Sequence, residues 1–154
     1  MTVTAWRIYK KRFANSAFTG EGARLYGGRW NSPGYAVIYL AESQALAALE
    51  MLVHLEAADA LKHYQVCQVS FSDGLVEVVE TSALPASWRR DPPPARLRAI
   101  GNEWIESKRS VVLEVPSAIV GSEKNYLLNP GHADFAKVKI GKGEGFRFDR
   151  RLLE

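Results

Sequence analysis

Between Ala36 and Leu55 the chain spells a short apolar strand, a turn and a helix with almost no polar relief. Ala36 to Ala41, AVIYLA, is β-rich and entered through Ser32-Pro33-Gly34, a turn signal, so it predicts a buried strand. Ser43 offers an N-cap, and Gln44 to Leu55 is rich in good helix formers. Projected at about 100° per residue, Leu46, Leu49, Met51, Leu52, Val53 and Leu55 cover almost the whole circumference, which predicts a helix buried nearly all round. Glu50 is its only charge. A carboxylate there needs a partner, because burying it alone costs several kcal/mol or shifts its titration. Either a core-facing arginine or a short exposed stripe accounts for it, or it stands at the edge of a cleft, where perturbed acids concentrate.

The rest of the chain is consistent with one domain spanning 1–154. Its 154 residues are 47% hydrophobic and 24% charged, enough to close a core without staples. A lone cysteine, Cys67, excludes an intrachain disulfide, and a cytoplasmic location is expected. The N-terminus MTVTAWRIYKKRF lacks the apolar run of a signal peptide, and no stretch of about 18 apolar residues is present, so no membrane association is expected. A net charge of +3 suits a nucleic acid, an anionic small molecule or an acidic protein equally.

Tyr64 to Phe71 and Leu75 to Val79 read as strands joined by Ser72-Asp73-Gly74, a hairpin-like signal. Ala95 to Ser107 places Leu97, Ile100, Trp104 and Ile105 on one helical face, and Ser110 to Val115 follows as a buried strand ended by Pro116. Short strands near 137–140 and 145–148 flank a glycine-rich bend, and Ser82 to Pro94 reads as a connector. The sum is an α+β domain with strands outnumbering helices.

Gly22 to Asn31, GARLYGGRWN, is poor material for a helix or a regular strand. Its glycines let a backbone approach a ligand, and Arg24 and Arg29 could grip phosphate or carboxylate bidentately. A tight turn with Trp30 in the core and both arginines in solvent explains the same run. Past the strand end at Val115-Pro116, Ser117, Glu123, Asn125, Tyr126, Asn129 and His132 cluster. Ser117 alone reads as a turn or cap residue, since no triad spacing accompanies it. His54, His63, His132 and Cys67 are too few and wrongly spaced for a zinc cage, so no metal is expected, and His54 reads as a helix-end residue.

Taken together, GARLYGGRWNSPGYAVIYLAES, ALAALEMLVHL and VPSAIVGSEKNYLLNPGHADF resemble the RES domain family in order and spacing, from about Trp6 to Phe135. The family's arginine, glutamate and serine fall at Arg29, Glu50 and Ser117, and its tyrosine at Tyr39. The resemblance implies a single compact domain with a mixed, mostly antiparallel sheet, similar to the ADP-ribosyltransferase toxin core. It implies the toxin of a type II toxin-antitoxin pair, with an Xre-like helix-turn-helix antitoxin as partner. NAD is implied as substrate, with no prosthetic group, cleaved at the nicotinamide-ribose bond by hydrolysis or phosphorolysis; the alternative is transfer of ADP-ribose to a protein acceptor.

That chemistry asks little of a general acid, because nicotinamide leaves as a neutral molecule, and much of charge stabilisation around an oxocarbenium-like transition state. Under the resemblance Glu50 stabilises the ribose cation. Arg29 binds pyrophosphate or braces ribose, Tyr39 stacks on nicotinamide or orients ribose, and Ser117 hydrogen-bonds ribose or carboxamide. Arg24, Tyr26 and Asn125 are second contacts, with Arg24 equally readable as a structural ion-pair partner. An RNA-cleaving or nucleic-acid-binding module is the rival from another class, but no motif or basic stripe accompanies the charge, and direct nucleic-acid binding is not expected.

Overall fold

The structure, a computed structural model, describes residues 1–55 and 62–153. Its frame is one sheet of eight strands: β1 (Thr2–Lys10), β2 (Ile38–Ala41), β3 (Tyr64–Ser72), β4 (Val76–Val78), β5 (Val112–Pro116), β6 (Lys124–Leu128), β7 (Lys139–Ile140) and β8 (Glu144–Phe146). Across the sheet the order is β4-β5-β6-β2-β1-β3-β7, with β8 also pairing β3. Only β4 and β5 run parallel among these pairs; the others are antiparallel. The α-helices among the described residues are α1 (Glu21–Tyr26), α2 (Gln44–Leu52) and α3 (Ala95–Ser107).

Period-two alternation along the paired strands sorts the side chains onto two faces. On one face Ala5, Val69, Phe71, Leu40, Tyr126 and Leu128 form a core closed by Phe18, Phe135 and Val138. The other face carries both longer helices. There α2 packs Leu46 and Ala47 on Ile8, Ala41, Tyr64 and Val66, while α3 packs Leu97 and Trp104 on Leu113, Val115 and Leu127. Paired positions Val115, Asn125, Ala41 and Trp6 form one row across four strands of that face, so Asn125 lies between the two helical clusters.

Four expectations need correction. Thr2–Lys10 and Lys124–Leu128 are strands left unassigned in the sequence; Arg7 interrupts the apolar alternation of the first, and the second begins with polar Lys124-Asn125. Glu21–Tyr26, inside the glycine-rich run, is a short helix, held by the Gly34 amide on the Arg24 carbonyl at 2.7 Å and by an Arg24–Glu21 ion pair. β3 and β4 are not a hairpin: after Ser72 the chain crosses to the far edge, where β4 pairs parallel with β5. And α2 is not buried all round, since Leu49 is 39% and Val53 60% exposed. Its N-cap is as expected, with the Ser43 hydroxyl accepting from the Leu46 amide at 3.0 Å.

Candidate functional site

Glu50 and Ser117, 67 residues apart, meet: the Ser117 hydroxyl donates to Glu50 Oε1 at 2.8 Å. Ser117 is fully buried, at the turn that leads from β5 to β6, and its backbone amide donates to the Glu123 carbonyl at 2.9 Å. The Ser117 oxygen also accepts from the amides of Ile119 and Val120, both at 3.1 Å. A hydroxyl has one proton and two lone pairs, so all three are in use. No capacity remains for a ligand while these bonds stand. The second oxygen of Glu50 has no partner among the described residues. Glu50 is half-buried beside the exposed Leu49 and Val53, so the exposed-stripe alternative holds in part. No arginine pairs with it among the described residues, and the partner it has is the buried Ser117.

The Gly27–Asn31 segment is a tight turn closed by a bridge between Gly28 and Asn31. Fully buried Asn31 organises it: Nδ2 points among the carbonyls of Ala23, Ser32 and Tyr35, and Oδ1 accepts from the Tyr39 hydroxyl at 2.6 Å. The same tyrosine oxygen accepts from the Trp30 amide at 3.1 Å. Burial drives the Tyr39 phenol well above its ordinary range, against the opposing pull of that amide and of the Arg98 and Arg29 guanidinia. A Cβ on Gly28 would stand 2.7 Å from the Tyr39 oxygen, and one on Gly101 of α3 only 1.6 Å from the Trp30 carbonyl oxygen. Both glycines exist so that turn, tyrosine and helix can touch.

Arg29 donates through Nη1 to the carbonyls of Trp88 (3.0 Å) and Arg90 (2.8 Å), and Arg98 of α3 donates through Nε to the Gly28 carbonyl at 3.1 Å. Neither guanidinium has a carboxylate partner among the described residues. Two cations thus flank one turn with donor capacity to spare, an arrangement suited to an anion.

The structure therefore joins Glu50 to Ser117 and groups Arg29 with Tyr39, but no direct bond links Arg29 to Glu50 among the described residues. Hollows of about 450 Å³, beside Ala86, Ser87, Arg89 and Arg90, and about 460 Å³, between β4 and α3, include neither Glu50 nor Ser117. Asn125 donates to the Leu40 carbonyl at 3.3 Å and sits on the shared face. Arg24 pairs with Glu21, as the structural alternative has it, and Tyr26 is 81% exposed. Asn31, Arg98 and Arg89 are not among the residues expected from the sequence; for Asn31 the adjoining GGRW is the available signal, whereas the two arginines lie in no informative pattern.

The RES domain matches residues 4–150. The chain belongs to that family. It is 43% identical over 148 residues to the protein named Toxin Res of Yersinia enterocolitica, covering 96% of this chain and 97% of that one. It is 34% identical over 158 residues to the Prs ADP-ribosylating toxin of a Sphingobium species, covering 99% and 98%. In three dimensions it is similar to a chain of the crystal structure of the M. tuberculosis MbcT-MbcA toxin-antitoxin complex, with a TM-score of 0.79 at 20% identity, covering 99% of this chain and 87% of that one. That likeness shares the fold: a single α+β domain with a mixed, mostly antiparallel sheet.

Proposed function

We propose that this protein is a RES toxin that cleaves the nicotinamide-ribose bond of NAD, by hydrolysis or phosphorolysis. The observation that carries the reading is the Glu50–Ser117 bond, which holds one carboxylate oxygen at a fixed place and leaves the other without a partner among the described residues. A carboxylate with one oxygen anchored can face a developing ribose cation and accept from the neighbouring hydroxyl without first reorganising. Its partner in the proposal is the cationic pair Arg29 and Arg98, which would receive the pyrophosphate. Tyr39 serves by fixing the turn that aims Arg29, and Asn125 by lining the sheet face between the helices. Ser117 acts through Glu50. Arg24 and Tyr26 remain contacts at the rim of the proposed site.

Departure of neutral nicotinamide leaves the ribose carbon to water or to phosphate, and no proton need be given to the leaving group. Transfer to a protein acceptor is the second reading, favoured by the Sphingobium relative's name. The similarity to a chain of a toxin-antitoxin complex supports an antitoxin partner, for which an Xre-like helix-turn-helix protein is proposed; a cytoplasmic site of action is part of the proposal. Chromatography of NAD after incubation with purified protein, with and without phosphate, tests the reading. Free ADP-ribose signifies hydrolysis, its phosphorylated form phosphorolysis, and label retained on protein the second reading. Untouched NAD with consumed RNA would reject all of these.

A further inference from the structure

The connector Ser82 to Pro94 holds the two halves of the site together. Arg29 grips it from one side at the Trp88 and Arg90 carbonyls. The residue between them reaches the other way: Arg89 donates through Nε to the Ala118 carbonyl at 3.0 Å and through Nη2 to the Ile119 carbonyl at 3.1 Å. Those carbonyls belong to the two peptide groups whose N–H bonds, at Ile119 and Val120, point at the Ser117 oxygen. Each peptide is therefore held at both ends, by a guanidinium at its oxygen and by Ser117 at its nitrogen. A cation on the carbonyl polarises the peptide and strengthens the N–H as a donor. With both lone pairs of Ser117 occupied, its proton is left for Glu50.

We infer that Arg89 is a positioning residue of this site, fixing Glu50 through two peptide groups and Ser117, and that the strap Trp88–Arg90 couples the carboxylate to Arg29. The inference rests on the NAD-cleaving reading for its effect on turnover. Arg89 is exposed, yet it has no carboxylate partner among the described residues, and both its hydrogen bonds go to backbone on a segment 29 and 30 residues away.

The test compares wild type, Arg89→Met, Arg89→Lys, Ser117→Ala and the Arg89→Met/Ser117→Ala double variant by amide hydrogen exchange and by kinetics of NAD consumption. Arg89→Met should speed exchange at Ile119 and Val120 by about tenfold relative to distant strands. It should lower kcat by roughly tenfold to a hundredfold with KM little changed, and Arg89→Lys should recover part of both. In the Ser117→Ala background the same substitution should lower kcat no further, because both changes break one chain of contacts. Unchanged protection of the two amides, or losses that multiply in the double variant, would overturn the inference. If Arg89→Met fails to fold, Arg89→Lys carries the same comparison, since it keeps the charge without the two-pronged grip. A wild type that leaves NAD intact overturns the functional reading alone, and the exchange data then decide whether Arg89 fixes the turn.

Discussion

Arg7 shows how much one guanidinium can hold with no carboxylate partner among the described residues. It lies in β1 and donates through Nε to the Ala17 carbonyl at 2.8 Å and through Nη1 to the Tyr39 carbonyl at 3.0 Å. Burial pulls it down to about 10, still far above neutrality, so it remains a cation. Arg7→Ala strands both carbonyls and leaves a gap, and should destabilise the fold by about 3 kcal/mol in denaturant titrations. Tyr126 predicts a pH effect. Burial first, then neighbouring Glu114, pushes its phenol up to about 12 from an ordinary value of 10.0. A raised phenol binds its proton more tightly in the folded state, so its contribution is complete below pH 10 and is lost as pH rises through 12. Thermal melts of Tyr126→Phe between those limits should fall less steeply with pH than those of the parent.

Among the elements, α3 and the glycine turn depend on one another. Gly101→Ala would ordinarily favour a helix, yet its methyl would fall on the Trp30 carbonyl, and a loss of about 3 kcal/mol is expected. Gly22→Ala in α1 meets nothing within 4 Å and should instead stabilise by about 0.5–1 kcal/mol; thermal melts of the pair separate packing from propensity. The bounds of α3 were legible to the residue because Leu97, Ile100, Trp104 and Ile105 repeat locally. The start of α2 was legible for the same kind of reason, a serine cap before strong helix formers. Strand partners were not: Ser72-Asp73-Gly74 does form a turn, but whether β4 then folds back or crosses the sheet is decided by what packs at the far edge. The solvent-facing side of α2 was equally hidden, since composition counts apolar residues without saying which of them meet a neighbour.

For the whole molecule, the order of strands brings distant motifs onto one face. β2, β6 and β5 lie side by side, so the helix after β2 and the turn after β5 converge, and Glu50 meets Ser117. Candidate residues for the proposed site could be named along the chain through family resemblance, but their partners could not. Spacing carries no information about a contact 67 residues long, and Arg29 turned out to grip a connector that composition marks only as a loop. No helix among the described residues is long and apolar enough to cross a membrane. In the proposed reaction Glu50 carries the chemistry while Ser117 holds it. Nicotinamide release from NAD by wild type and by Glu50→Gln, at matched melting temperature, tests this most directly. The variant should fold as well and lose on the order of 10² to 10³ in turnover; a folded Glu50→Gln that releases nicotinamide at the wild-type rate would contradict the account.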